Sequence, residues 1–341
     1  RSISIITTIT IISIGYIVYT MEQRRLIKFG SSSHVLSIPS YWLKKNKVGK
    51  GDFLYLQEGV NGDLIVSNDL KEKRYLKNIV ISSDNKRIER LSREILAAYI
   101  NNYDTIRITG SSLSKIMKDL RRILHSFVAL EIVEEDDNKI VAKDFLNMGD
   151  VSIPENIRRM DIIIRGMMMD MKKCIYEDCS ESIYQRDFDV NRFSFLLLRA
   201  INGAVEDPNI AKLLNVKSSE LMMIRLISVN IEDIGDEIKR VARFLGSQDL
   251  DEKLKKSLLL LLSDIEKSYL KVMKAYYTKD VELAFEVDFW KDDFVEKCNK
   301  LYDKYHVSGF ARILERLKKM SSGISNLAWV IYSSGFENEK K

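Results

Sequence analysis

Proline is scarce, with three in 341 residues. A chain so poor in the residue that breaks helices favours long, uninterrupted ones. Cysteine and histidine are equally few, three of each. Cys174, Cys179 and Cys298 form no CxxC pair and their number is odd. The sequence therefore argues against a zinc site and a disulfide framework, and fits a reducing cytoplasm. His34, His125 and His306 are scattered, with no HExxH or comparable pairing, and read as packing or surface residues. No GxGxxG or GxxxxGK[ST] loop occurs, so Gly110-Ser111-Ser112, between a strand and a helix, reads as a plain connection. A carboxylate-bridged di-metal enzyme needs Glu-x-x-His pairs on facing helices, and none is present. No nucleophile–base constellation appears either, and a non-enzyme is expected.

What is there is ordinary for a globular chain: 45% hydrophobic and 30% charged residues, long enough for two or three domains. The net charge of +5 is too small to imply nucleic acid by itself. Its distribution says more. Residues 21–66 hold seven cations (Arg24, Arg25, Lys28, Lys44, Lys45, Lys47, Lys50) against four acids (Glu22, Asp52, Glu58, Asp63), a net +3, while the chain beyond 150 is close to neutral.

The opening stretch, RSISIITTITIISIGYIVYT, is rich in Ile, Ser and Thr and is followed at once by Met21. Residues 1–20 are expected to be upstream translation or a leader, with an N-terminal membrane anchor as the alternative; the stretch lacks the charged region and cleavage site of a signal peptide. In the anchor case Arg24, Arg25 and Lys28 hold the rest of the chain in the cytoplasm. No membrane span is expected in the body of the protein.

Residues 21–66 read as short strands around one small helix. RRLIKF and HVLSIP are strands, SYWLKKNKV is an amphipathic helix with Ser40 as its cap, and Asn61-Gly62 turns a final hairpin. The order RRLIKFGSSSHVLSIPSYWLKK, VGKGDFLYL, GDLIV resembles the AbrB/SpoVT swapped-hairpin family. The resemblance implies that two chains interleave hairpins into one barrel and present basic residues to DNA. The candidates are Arg24, Arg25 and Lys28, then Lys44 and Lys45.

Residues 67–150 alternate strand and helix: YLKNIVIS, a helix capped by Asp84 or Asn85, DTIRITG, a second helix, and two strands turning at Asp136 to Asn138. This is a small α/β spacer unit. From Pro154 to about Ser334 six helical stretches can be drawn, roughly 155–182, 188–206, 217–246, 250–278, 280–305 and 309–333, with breaks at Pro208 and Gly246-Ser247. Segments 172–201 and 271–302 resemble each other, as do 229–245 and 316–334, so two copies of a three-helix unit are expected over 151–335.

One helical segment, NIEDIGDEIKRVA, carries four acids: Glu232, Asp233, Asp236 and Glu237. At 100° per residue they share one outward face, opposite the apolar stripe. Two acids at i and i+4 supply part of the oxygen shell of a hard cation. Arg240, four residues from Asp236, can neutralise them without metal. Both readings stand.

The bundle resembles the PhoU family of phosphate-uptake regulators, most closely through IEDIGDEIKRVA. The resemblance implies two three-helix bundles and a multinuclear iron or other divalent metal held by ExxxD carboxylates, here Glu232 and Asp236, supported by Asp233. Asp187 or Asp189 in RDFDVNRF corresponds to another ligand segment, whose last Asp is Asn191 here. In the second repeat the ExxxD positions are Lys318 and Ser322, with Asn326 retained, and in the first Arg240 replaces the family's Asn, so one site at most is expected.

The whole reads as multidomain: a β swapped-hairpin barrel, a small α/β unit and an all-α double three-helix bundle. The expected function is a cytoplasmic, homodimeric, DNA-binding regulator of phosphate uptake that touches phosphate transporter components. The alternative is a protein–protein regulator of a transporter or kinase that does not bind DNA.

Overall fold

A computed structural model describes residues 10–14, 17–58, 62–68, 76–245, 250–305 and 309–335. The chain divides into two compact units, Arg1–Arg74 and Tyr75–Lys341.

Among the described residues, the first unit contains three separate hairpins and one short helix. Strands β1 (Thr10–Ile14) and β2 (Ile17–Met21) pair antiparallel, as β-branched Ile and Thr favour. Strands β3 (Ile27–Phe29) and β4 (Ser33–Val35) pair with Lys28 opposite His34. Helix α1 (Ser40–Lys45) follows. Its N-cap is Pro39, not Ser40, and no side chain caps it; proline's fixed φ starts the turn instead. Strands β5 (Tyr55–Glu58) and β6 (Leu64–Ser67) close the unit. Gly62 between them takes φ +80°, the left-handed conformation a tight turn asks of glycine, while Asn61 lies outside the described residues. Among the described residues from Glu22 to Asn68, none is buried.

The second unit begins with a βαβ element: β7 (Asn78–Ser82), α2 (Ile88–Ile100) and β8 (Thr105–Thr109), whose strands are parallel. Helix α3 (Met117–Leu124) leads to β9 (Leu130–Asp136) and β10 (Lys139–Asp144), giving one four-stranded sheet in the order β7-β8-β10-β9. Its core is Ile106, Ile108 and Ile140 from the sheet against Leu91, Ile95 and Tyr99 of α2 and Leu120 and Leu124 of α3. Neither Asp84 nor Asn85 caps α2; the helix begins after Arg87, and Asn85 stands at φ +58°. Asp84 turns away to accept hydrogen bonds from Ser111 N and Oγ at 2.9 and 3.0 Å. The protein's own carboxylate thus occupies the backbone donor of the Gly110-Ser111-Ser112 connection.

Among the described residues, seven helices complete the unit: α4 (Ile153–Lys173), α5 (Ser180–Glu206), α6 (Pro208–Leu213), α7 (Ser218–Leu245), α8 (Glu252–Thr278), α9 (Val281–Lys304) and α10 (Phe310–Gly335). Asp251 and Asp280 cap α8 and α9, accepting from Leu254 N at 2.7 Å and Leu283 N at 2.9 Å. Helices α4, α5 and α7 pack on one another, as do α8, α9 and α10, and the two groups meet where α7 lies on α10 and α4 on α8. One hydrophobic core runs through both groups, from Ile157 and Ile164 to Leu327 and Ile331.

Two sequence expectations fail at the α4–α5 junction. The first helix stops at Lys173, not 182, and the second begins at Ser180, not 188. Asp178 accepts from Ser180 N at 3.0 Å, which starts α5 early. The turn brings Cys174 and Cys179 within 5.3 Å between Cα atoms, and their sulfurs are joined as a disulfide, against the expectation that no cysteines pair. Pro208 does not merely break a helix. With Asp207 as cap, accepting from Asn209 N at 2.9 Å, it begins α6, which the sequence reading left out. The Gly246-Ser247 break lies outside the described residues.

Two glycines set helix spacing. A Cβ on Gly235 of α7 would stand 2.9 Å from Ile164 Cδ1 of α4, and one on Gly323 of α10 would stand 3.0 Å from Ile234 Cγ1 of α7. At both crossings an isoleucine side chain of one helix lies against the glycine of the other.

The α/β part joins the bundle through a polar seam on α5. Arg199 is wholly buried. It donates to Tyr99 O at 2.6 Å and Asp144 Oδ2 at 2.5 Å, with its guanidinium 4.7 Å above the Tyr99 ring. Asn202 donates to Ile100 O at 2.8 Å, and Asn102 donates back to Arg199 O at 3.1 Å. These donors reach carbonyls in the last turn of α2, which have no partner within the helix. Removing one member of a buried ion pair leaves the other charge stranded. Arg199→Met is expected to lower unfolding stability by about 3–5 kcal/mol, and adding Asp144→Asn should restore part of that loss. Urea denaturation of the two variants checks both statements.

Candidate functional site

Two regions carry the predicted site residues. In the first unit, Arg24 and Arg25 precede β3, Lys28 lies on it, and Lys44 and Lys45 form the last turn of α1. All five are exposed. Arg24 pairs with Glu22. Among the described residues Arg25, Lys28, Lys44 and Lys45 make no ion pair, so their charges stay available to an outside anion.

The same unit exposes its apolar side chains. Phe53 is 86% exposed, Phe29 70%, and Leu26, Leu56 and Leu64 all exceed 60%. Large apolar side chains exposed in this number point to an interface.

The second region is the acidic stretch of α7. Its acids do not share one outward face. The helix is covered by α5 on one side and α10 on another; Glu237 faces α10, and Asp236 is linked through Lys239 to Asp187 of α5. Asp233 alone is exposed. Glu237 is 1% exposed and faces α10, where Lys319 Nζ stands 2.7 Å and Arg316 Nη1 3.4 Å from it; Arg240 closes on it from α7 itself. Asp236 accepts from Arg240 at 2.7 Å and from Lys239 at 2.6 Å. Asp187, buried on α5, accepts from the same Lys239 Nζ at 2.6 Å and from Asn191 Nδ2 at 3.3 Å. Asp189 is exposed and does not join the group.

Lys239 therefore sits between Asp187 and Asp236, where the PhoU-type reading expects a metal ion. Burial would lower its ammonium, but the hydrogen bonds it donates to Asp187 and then Asp236, together with their charges, outweigh that and raise it above the ordinary lysine range. Among the described residues no three His, Cys, Asp or Glu side chains converge as a metal site requires. The donor set does not fit the expected metal: a fixed cation stands inside it and Asn191 ends it. Glu232, Asp233, Asp236 and Asp187 stay close in space, but as acids answered by Lys239 and Arg240.

Glu232 is the exception. It is half-buried, and burial first, then Asp236, Asp233 and Asp187, push its carboxyl up to about 7. The sequence reading assigned no role to Lys239, Arg316 or Lys319. Spacing along α7 gives Arg240 but not the α10 cations, which arrive only through helix packing.

The raised Glu232 carboxyl has a signed consequence. The folded protein keeps this proton up to about pH 7, whereas the unfolded chain releases it near 4.5. The stabilising contribution is fully present below about 4.5 and is lost as pH rises through about 7. Glu232→Gln is expected to be more stable than the parent at pH 8 by about 1–3 kcal/mol, with little difference at pH 4. Chemical denaturation at both pH values measures it, and equal stabilities at pH 8 would count against the assignment.

Comparison of the chain with protein-family models, with curated proteins and with solved structures returns no match.

Proposed function

We propose that this chain is a homodimeric DNA-binding regulator of phosphate uptake, with an AbrB/SpoVT-like N-terminal module and a PhoU-like bundle. The carrying observation is the first unit. Its hairpins and α1 bury none of their described side chains, while Phe29, Phe53, Leu56 and Leu64 stand in the open. A segment of this size without a core gains stability only by association. A second copy of the same segment is the partner that the swapped-hairpin resemblance supplies.

The free cations beside that surface support the DNA part of the reading. Phosphate contacts release condensed counterions, so affinity falls steeply with salt. The two helix groups, α4-α5-α7 and α8-α9-α10, support the PhoU-like part. No helix among the described residues is long and apolar enough to cross a membrane, which accords with a chain that docks on transporter components from outside the bilayer.

Arg24→Ala with Arg25→Ala is expected to weaken DNA binding at least tenfold at low salt. The slope of log affinity against log salt should fall by about 2, while light scattering still reports a dimer. Fluorescence anisotropy on duplex DNA reads both quantities. An unchanged affinity rejects these arginines as DNA contacts, and a parent protein that binds no DNA at low salt favours the protein–protein regulator instead.

A further inference from the structure

The second helix group carries an open cleft of about 740 Å³ over α10, flanked by Val295 of α9. Four cations line it, Arg312, Arg316, Lys318 and Lys319, against one acid, Glu315. Arg312, Arg316 and Lys319 follow at i, i+4 and i+7, a row along one face of α10 that extends roughly 10 Å.

The protein does not neutralise this row. Arg316 and Lys319 share the single buried carboxylate of Glu237, and Arg240 takes a share of the same group. Arg240 is also answered by Asp236, so the row's own two cations on Glu237 leave one positive charge over. Lys318 is matched by Glu315. Arg312 makes no ion pair among the described residues; its guanidinium lies 5.8 Å above the Phe244 ring. That face of an aromatic ring orients a guanidinium without cancelling its charge. Like charges at i and i+4 oppose helix formation, so a row of this kind is destabilising until an anion answers it.

We propose that this cleft binds an oligophosphate, free or carried by a nucleotide. A single carboxylate or monophosphate spans too little of the row, whereas successive phosphoryl groups place oxygens along its length. Guanidinium forks suit them better than ammonium points, and two of the three members of the row are arginine. Ser322 adds a hydroxyl at the end of the cleft. Glu237 acts as a positioning residue: its buried carboxylate fixes Arg316 and Lys319 before the ligand arrives. The site is separate from the DNA reading of the first unit and does not depend on it.

The test is isothermal titration of the full chain with sodium tripolyphosphate, ATP, orthophosphate and sulfate at low salt. Tripolyphosphate or ATP is expected to bind at least tenfold more tightly than orthophosphate or sulfate. Arg312→Glu should weaken that binding at least tenfold; since Arg312 makes no ion pair, circular dichroism should report an intact fold. Arg24→Ala with Arg25→Ala should leave it unchanged, which separates this site from the first unit's cations. Tripolyphosphate alone binding identifies the free anion as the source; ATP binding more tightly identifies the nucleotide. Equal affinity for sulfate and tripolyphosphate, or an Arg312→Glu variant that binds as the parent does, overturns the proposal.

Discussion

The second unit depends on a guanidinium with no contact with water. Arg199 of α5 enters the space below the end of α2, holds the Tyr99 carbonyl and the Asp144 carboxylate, and stacks on the Tyr99 ring. Burying such a charge is costly unless it is paired and hydrogen-bonded. Here the pairing does structural service, because the helix end it satisfies belongs to the α/β part and the helix it comes from belongs to the bundle. Asn202 one turn later, and Lys77 with Glu206 at 2.5 Å beyond, extend the seam along the same face of α5. The two hydrophobic cores remain separate. The polar seam and the contact of Phe195 on α5 with Phe127 together set where one stands against the other.

A second charged junction works by a different arithmetic. At Arg199 one cation meets one carboxylate. At Glu237 one carboxylate takes Arg316 and Lys319 from α10 and Arg240 from α7, and Arg240 is shared with Asp236. The acids that look like a metal-binding run in the sequence become, once α5 and α10 close over them, a set of counter-ions for lysine and arginine. Lys239 illustrates the change: it supplies the charge a metal would bring, without leaving a coordination position open.

Much of this architecture is legible in the sequence, and the failures have physical causes. Apolar residues at three- and four-residue spacing mark α7 and α8, because a helix facing a core must repeat with its own turn. The helical stretches drawn from residues 250 and 280 begin within two residues of α8 and α9. The order of strands and helix between residues 21 and 67 is readable because short hairpins are specified locally. What is not legible depends on neighbours distant in sequence. Arg199 lies among apolar residues in LLLRAI and gives no sign that it will be buried and paired. Glu237 is one acid of four by spacing, and only α10 distinguishes it. Cys174 and Cys179 are joined because α4 ends at Lys173, a boundary that an uninterrupted amphipathic pattern conceals.

The glycines at the helix crossings bear on how the bundle answers substitution. Ile234 and Gly235 are adjacent on α7, yet one presses on α10 and the other admits α4. A side chain added at either glycine would meet an isoleucine of a neighbouring helix, so a substitution on α7 is felt by α4 and one on α10 is felt by α7.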